Sequence, residues 1–210
     1  AVDPDKRRYA VADEAPRHYI DLDHYCASPC KEMPHQSKDA VAKYSEDTLK
    51  SYGIVPWYIQ TMMYRLTDAF KQKNKNKILH LSGDIGHYIA DSNVPLHTSE
   101  NYNGQMTNQV GIHGLWESRI PELYGENYNY MIGKTEYVAE PSDRIWATVL
   151  ESNHALDTVL GFETTFGASF HSAPLYSFET RGKSLVKVYK EEFAGDYSQM
   201  MDRMVERRLR

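Results

Sequence analysis

Two histidine–carboxylate pairs at a spacing of four, with a third histidine between them, are the residues best suited to chemistry in this chain. His87-Tyr-Ile-Ala-Asp91 leads through Ser-Asn-Val-Pro-Leu to His97, and a Gly/Asn-rich loop leads on to His113-Gly-Leu-Trp-Glu117. Residues four apart share one helix face, so each pair can offer one ion an imidazole and a carboxylate. That mixture is a common zinc ligand set where a coordination position stays open for water. One such pair alone reads more simply as an intrahelical ion pair. Two pairs around His97, which follows a tight Pro-containing turn, point instead to a metal-dependent hydrolase.

Helices must position these groups. The spacing predicts a helix from about Ile78 to Asp91 that stops before Pro95, with His80, Asp84, His87 and Asp91 on one face. Asp84, one turn before His87, is placed to orient a ligand imidazole, or else to pair with a Lys or Arg. A short helix is expected over His113–Tyr124. Upstream, Pro4, Pro16, Pro29 and Pro34 keep Ala1 to about Lys38 loop-rich. Ser37 is placed to cap a helix from Lys38 to Tyr52 that ends at Gly53.

A second helix opens near Pro56 and carries Trp57, Ile59, Met62, Met63, Leu66 and Phe70 as core positions. The run Lys71–Lys77 reads as a solvated turn. Ser142 is placed to cap a helix through Trp146, Val149, Leu150, Leu156 and Leu160. A last helix, roughly Leu185 to Arg210, has Val186, Tyr189, Phe193, Tyr197, Met201 and Met204 inward. Strand signals are scarce and no repeat or linker stands out, so the expectation is one all-α domain over residues 1–210. The helical pattern still runs at Arg210 without a stop signal and the start is equally abrupt. The expectation is therefore a fragment, truncated at both ends.

Composition sets the outer bounds. Hydrophobic residues make up 41% and charged residues 25% of 210, which suits a globular chain and excludes a disordered one. No apolar run approaches the ~18 residues of a membrane-spanning helix, and the start does not read as a signal peptide. A net charge of -5 argues mildly against a basic nucleic-acid groove. Cys26 and Cys30 have neither redox nor zinc-ribbon spacing, so a local disulfide and two free thiols both fit better than catalysis. Other hydrolase and cofactor motifs are missing: His-Glu-x-x-His, adjacent His-Asp, Walker and dinucleotide glycines, and Gly-x-Ser-x-Gly. Glu-x-x-His occurs at Glu32–His35 and Glu151–His154, but Pro34 spoils the first for a di-iron bundle. His24, His35, His80, His154 and His171 are read as non-ligands. Trp116, Tyr88 and Tyr102 are candidates to line a cleft, with packing the better reading for Trp116.

Taken in order, Asp3, His18, His87-x-x-x-Asp91, His97 and His113-x-x-x-Glu117 resemble the zinc-dependent phospholipase C and P-one/S-one-type single-strand nuclease superfamily. His18-Tyr-Ile-Asp, Gly-His87-Tyr-Ile-Ala-Asp91 and Pro95-Leu-His97 match its local flavour, and the likeness covers Asp3 to about Tyr124. The resemblance implies an all-helical domain with up to three zinc ions. Asp3, His18, His87 and Asp91 would hold one, Asp91 would bridge to a second, and His97, His113 and Glu117 would hold the third. A bridging water would attack phosphorus, with Asp3 as its base.

Members of that family begin with a tryptophan and a nearby histidine that complete the bridged ion. Neither precedes Asp3 here, so two well-liganded ions are expected. The resemblance further implies a secreted or periplasmic protein. The substrate would be a phospholipid head group, which Glu117 and the net acidity favour, or single-stranded nucleic acid, which sixteen tyrosines favour as stacking platforms. A zinc-binding structural or interaction domain without catalysis is the alternative of another class. No feature marks a protein partner.

Overall fold

The computed structural model describes residues 4–26, 32–131, 133–169 and 175–202. It is mostly helical, at 63% helix with one small two-stranded sheet, which places the chain in the mainly-α class. The chain divides into two compact units: Ala1–Glu100 with Glu136–Ala155, and Asn101–Thr135 with Leu156–Arg210. Among the described residues no helix is long and apolar enough to cross a membrane.

In the first unit a short helix α1 (Pro4–Arg7) and two single 3-10 turns, Ala15–Arg17 and Leu22–His24, precede α2 (Ser37–Tyr44) and α3 (Glu46–Tyr52). The single helix expected from Lys38 to Tyr52 is therefore broken. Ser45 takes φ 71° between the two pieces, and its side chain accepts a hydrogen bond from the Thr48 N–H to cap α3. Glu46 and Asp47 fill the first turn that follows, where acidic groups complement the helix N-terminus. Ser45, not Ser37, carries the capping signal; Ser37 is already helical, and Gln36 occupies the position before it.

Helix α4 (Val55–Lys71) has Pro56 in its first turn, where the ring is pre-organised and no N–H is lost. Val55, Trp57, Ile59 and Met62 are buried, whereas Phe70, expected in the same stripe, is 58% exposed. Helix α5 (Lys75–Ser92) starts three residues before its expected beginning, because the Asn74 side chain accepts from Lys77 N at 3.1 Å and caps it. It packs along α4 and buries Leu81, Ile85 and Tyr88 in a core that also takes in Ile20, Leu22, Trp146 and Val149. Cys26, at the edge of that core, is disulfide-bonded, and Cys30 lies outside the described residues.

The α3–α4 corner supports the segment that carries His18. Ile54 N donates to Pro16 O at 2.6 Å, Val55 N to Tyr19 O at 3.2 Å, and Asp21 N to Tyr52 O at 2.7 Å. Gly53 makes this possible with φ 88° and ψ 151°, a conformation essentially confined to glycine. A Cβ there would meet Tyr19 O at 2.1 Å. Gly53→Ala is expected to lose at least the ~1–3 kcal/mol of that backbone conformation, outweighing the ~0.4–1 kcal/mol that alanine gains through the unfolded chain. Chemical denaturation checks this, and a variant as stable as the parent would rule out the corner.

Asp21, on the same segment, has its carboxyl pushed up to about 6 from 3.8, chiefly by burial. The native state thus holds the proton more tightly than the unfolded chain does. Stability from this group is full below pH 3.8, falls as pH rises towards 6, and stays reduced above that. Asp21→Asn should therefore raise the melting temperature at pH 7.5 and give much less gain near pH 4. Equal gains at the two pH values would contradict this.

In the second unit a helical segment runs from α6 (Ile112–Gly114) through a π-helical turn, Leu115–Arg119, into α7 (Ile120–Tyr124). The long helix α8 (Pro141–Ser169) belongs to the first unit up to Ala155 and to the second from Leu156. Pro141 opens it, so Ser142 lies inside it rather than capping it. It continues well past Leu160, where Phe162 meets Tyr197 and Phe166 meets Phe193 at ring-centroid distances of 5.3 Å.

Two antiparallel strands, β1 (Tyr176–Arg181) and β2 (Ser184–Tyr189), precede α9 (Glu191–Met200). The helix expected from Leu185 is thus corrected: its first five residues are strand. Leu-Val-Lys-Val-Tyr is rich in β-branched and aromatic residues, and Gly182 at φ 64° closes a two-residue loop between paired Arg181 and Ser184. Phe193, Tyr197 and Met201 remain buried as expected, and Met204 falls outside the described residues.

Candidate metal centre

Helix α5 presents His87 and Asp91 one turn apart, and the segment held by the Gly53 corner lays His18 against them. His18 Nδ1 is 2.9 Å from Asp91 Oδ2 and 3.2 Å from His87 Nε2. His87 Nε2 is in turn 3.3 Å from the same Asp91 oxygen. Donors around a tetrahedral zinc ion, with bonds of about 2.0–2.2 Å, stand about 3.3–3.6 Å apart. The three atoms thus approximate one face of such a tetrahedron. Two imidazole nitrogens face each other there, so at least one proton or a cation must lie between them.

Asp5 is the fourth group. Its two carboxylate oxygens lie 3.7 Å from His18 Nδ1 and 3.7 Å from His87 Nε2 respectively. Asp5, His18 and His87 each place a ligand atom within 4.8 Å of the others. The Asp5 side chain is 46% exposed, so it forms the solvent side of the cluster, while the other carboxylate, on Asp91, is buried. Asp3, the carboxylate expected here, lies outside the described residues. The sequence reading missed Asp5, although Asp3-Pro-Asp5 offers two candidates and α1 begins between them.

His97 is fixed nearby in the same unit. Its Nδ1 lies 2.8 Å from the His18 carbonyl oxygen, which can only accept, so the ring proton is on Nδ1 and the lone pair is on Nε2. Nδ1 is also 3.8 Å from Asp91 Oδ1. Asp91 therefore turns one oxygen to the His18–His87 pair and the other towards the protonated Nδ1 of His97.

Beneath the cluster lies a buried polar network. Arg7 donates to Asp84 Oδ2 at 2.7 Å and to Tyr88 Oη at 2.9 Å. Tyr88 donates to Glu14, which also receives Arg17 at 2.5 Å. Burial, with Glu14 at its hydroxyl, pushes the Tyr88 phenol well above its ordinary range. Asp84 therefore meets the second of its two expectations: it pairs with an arginine, and its nearest imidazole is that of His80 at 3.7 Å. Tyr88 is fully buried in this network and does not line a cleft.

In the second unit His113 and Glu117 straddle the start of the π-helical turn, a feature that often accompanies functional positions. His113 Nε2 is 2.8 Å from Glu117 Oε2, and His113 Nδ1 lies 3.2 Å from the Tyr102 carbonyl oxygen. The ring is thereby held with Nε2 towards the carboxylate, as a ligand pair needs. Within this unit the pair supplies an imidazole and a carboxylate, the donor types zinc takes. Trp116, between them, is completely buried and donates to Tyr197 Oη at 3.1 Å, so it packs, while Tyr102 is 52% exposed.

Of the described histidines read as non-ligands, three have carboxylate partners, His80 with Asp84 among them. His24 contacts Glu100 at 2.9 Å, and His35 contacts Asp143 at 2.8 Å while stacking on Trp146. His154 is exposed, and His171 lies outside the described residues. Set against protein-family models, curated proteins and solved structures, the chain matches none of them.

Proposed function

We propose that this protein is a zinc-dependent hydrolase of phosphodiester bonds, of phospholipase C type. The observation that carries the proposal is the close approach of His18, His87 and Asp91, with Asp5 3.7 Å from both imidazoles. Neutral imidazoles and carboxylates are the donor set of catalytic zinc, and the solvent side of this cluster is open. When bound there, zinc would bring the pKa of a water towards ~7 and polarise a phosphoryl oxygen.

The residues themselves divide the remaining work. Asp91 and the two imidazoles would hold the ion from the buried side. Asp5, set back at 3.7 Å and half in solvent, takes the role assigned by resemblance to Asp3: it accepts the proton of a water placed between it and the imidazoles. His97, with its proton fixed on Nδ1, carries the lone pair of its ring on Nε2, the nitrogen through which it would coordinate.

The glutamate in His113-x-x-x-Glu117 favours a phospholipid head group as substrate. A single-strand nuclease is the second reading, supported by tyrosines exposed to solvent, Tyr102, Tyr130 and Tyr137, on which bases can stack. The test is zinc analysis with parallel hydrolysis of a short-chain phosphatidylcholine and of single-stranded DNA, before and after chelation. Zinc-dependent turnover of the phospholipid is the expected result, and turnover of DNA alone selects the second reading. Stoichiometric zinc without cleavage of either would leave a non-catalytic zinc domain and sink the enzyme.

A further inference from the structure

We infer that Glu14 is the positioning residue of the centre: its carboxylate accepts the Nε2 proton of His18 and so holds that ring with Nδ1 towards the metal. The inference rests on the zinc reading above. His18 turns Nδ1 to His87 and Asp91, at 3.2 and 2.9 Å. An imidazole that coordinates through one nitrogen carries its proton on the other. Here the other is Nε2, which is buried and has no hydrogen-bond partner. The oxygen facing it is Glu14 Oε1, at 3.6 Å.

A buried N–H without an acceptor costs about 1–3 kcal/mol, and a shift of a few tenths of an ångström brings this pair to bonding distance. The carboxylate also offsets the positive charge that the ring gains when it coordinates a cation. Glu14 is built to stay in place. It is completely buried, with Arg17 on Oε2 at 2.5 Å and with Tyr88 and Arg7 on Oε1, the latter at 3.6 Å. Asp84 does not compete for the role: the imidazole it faces is that of His80, at 3.7 Å from Oδ2.

The experiment is a chelator-competition measurement of zinc affinity for the parent protein, Glu14→Gln and Asp84→Asn, with melting curves for each. Both substitutions disturb the same buried network, so both lower the melting temperature. Only Glu14→Gln should weaken zinc binding, by the ~10–100-fold typical when a partner of a ligand imidazole is lost. A folded Glu14→Gln that binds zinc as tightly as the parent overturns the inference while leaving the zinc site intact. Equal weakening in both variants overturns it too, because the effect would then be one of general disorder.

Failure of the parent to bind zinc overturns the functional reading itself. Should Glu14→Gln not fold, nitrogen-15 spectra of the zinc-loaded parent decide the matter. A His18 ring coordinated at Nδ1 and protonated at Nε2 upholds the inference, and coordination through Nε2 overturns it.

Discussion

Asp91→Asn will remove zinc and hydrolytic activity together. Asp91 is the one group that touches every described imidazole of the first unit's cluster. Its Oδ2 lies 2.9 Å from His18 Nδ1 and 3.3 Å from His87 Nε2, and its Oδ1 lies 3.8 Å from His97 Nδ1. Asparagine keeps the shape but deletes the charge that balances a dication. It also replaces one acceptor oxygen with an NH2 group, which cannot coordinate and has no lone pair to offer an imidazole N–H. Either orientation of the amide spoils one side: donors face His18 and His87, or they face the Nδ1–H of His97. The affinity loss should exceed the ~10–100-fold seen when only a partner behind a ligand is removed.

Metal analysis after dialysis and a phosphodiester assay read the two effects separately. A variant that keeps full zinc would show that the ligand set is wrong, whatever its activity. The substitution should be tolerated as a fold, since the cluster lies at the end of α5 and the core of Leu81, Ile85 and Tyr88 is untouched.

The parts of the centre that follow a helical period were legible in the sequence. His87 and Asp91 share a face because α5 is regular, and Asn74 and Pro95 bound it nearly where caps and breakers dictate. Asp5 and Glu14 were not legible, because no period links them to α5. They come from a segment of short turns whose course is set by backbone bonds to the α3–α4 corner and to His97, contacts between residues far apart in sequence. One local hint existed: Glu14 precedes His18 by four, but the 3-10 turn at Ala15–Arg17 makes that spacing a weak guide.

The hairpin shows a different kind of ambiguity. Val186, Tyr189, Phe193 and Tyr197 step by three, four and four, which satisfies a helical template, although Leu185–Tyr189 has the β-branched and aromatic composition of a strand. The turn at Gly182 decided between them, and α9 keeps only the second half of the expected stripe. At Ser45 the same local–global competition went the other way. A single serine with acidic residues after it outweighed a helical pattern that otherwise ran unbroken to Gly53.

Trp116→Ala is the substitution expected to cost the most stability. The indole is completely buried beside Leu115, Ile112 and Ile120, which are also buried, and its N–H is satisfied by Tyr197 Oη at 3.1 Å. Tyr197 in turn donates to Val159 O at 3.2 Å, so the pair ties the π-helical turn to α9 and α8 within the second unit. Removing the ring leaves a cavity in a fully buried position, at a cost of about 3–5 kcal/mol.

Trp116→Phe separates packing from the hydrogen bond. It keeps most of the ring and gives up one bond, worth about 0.5–1.5 kcal/mol, plus the smaller volume. Denaturant titration should therefore order the proteins parent, Phe, Ala, with the larger gap between Phe and Ala. The turn that loses its anchor is the one holding Glu117 against His113 at 2.8 Å, so the alanine variant should also lose that pair's order before the rest of the unit melts. An alanine variant within 1 kcal/mol of the parent, on the scale of a surface substitution of about ±0.5 kcal/mol, would return Trp116 to the surface and reopen its candidacy as a cleft residue.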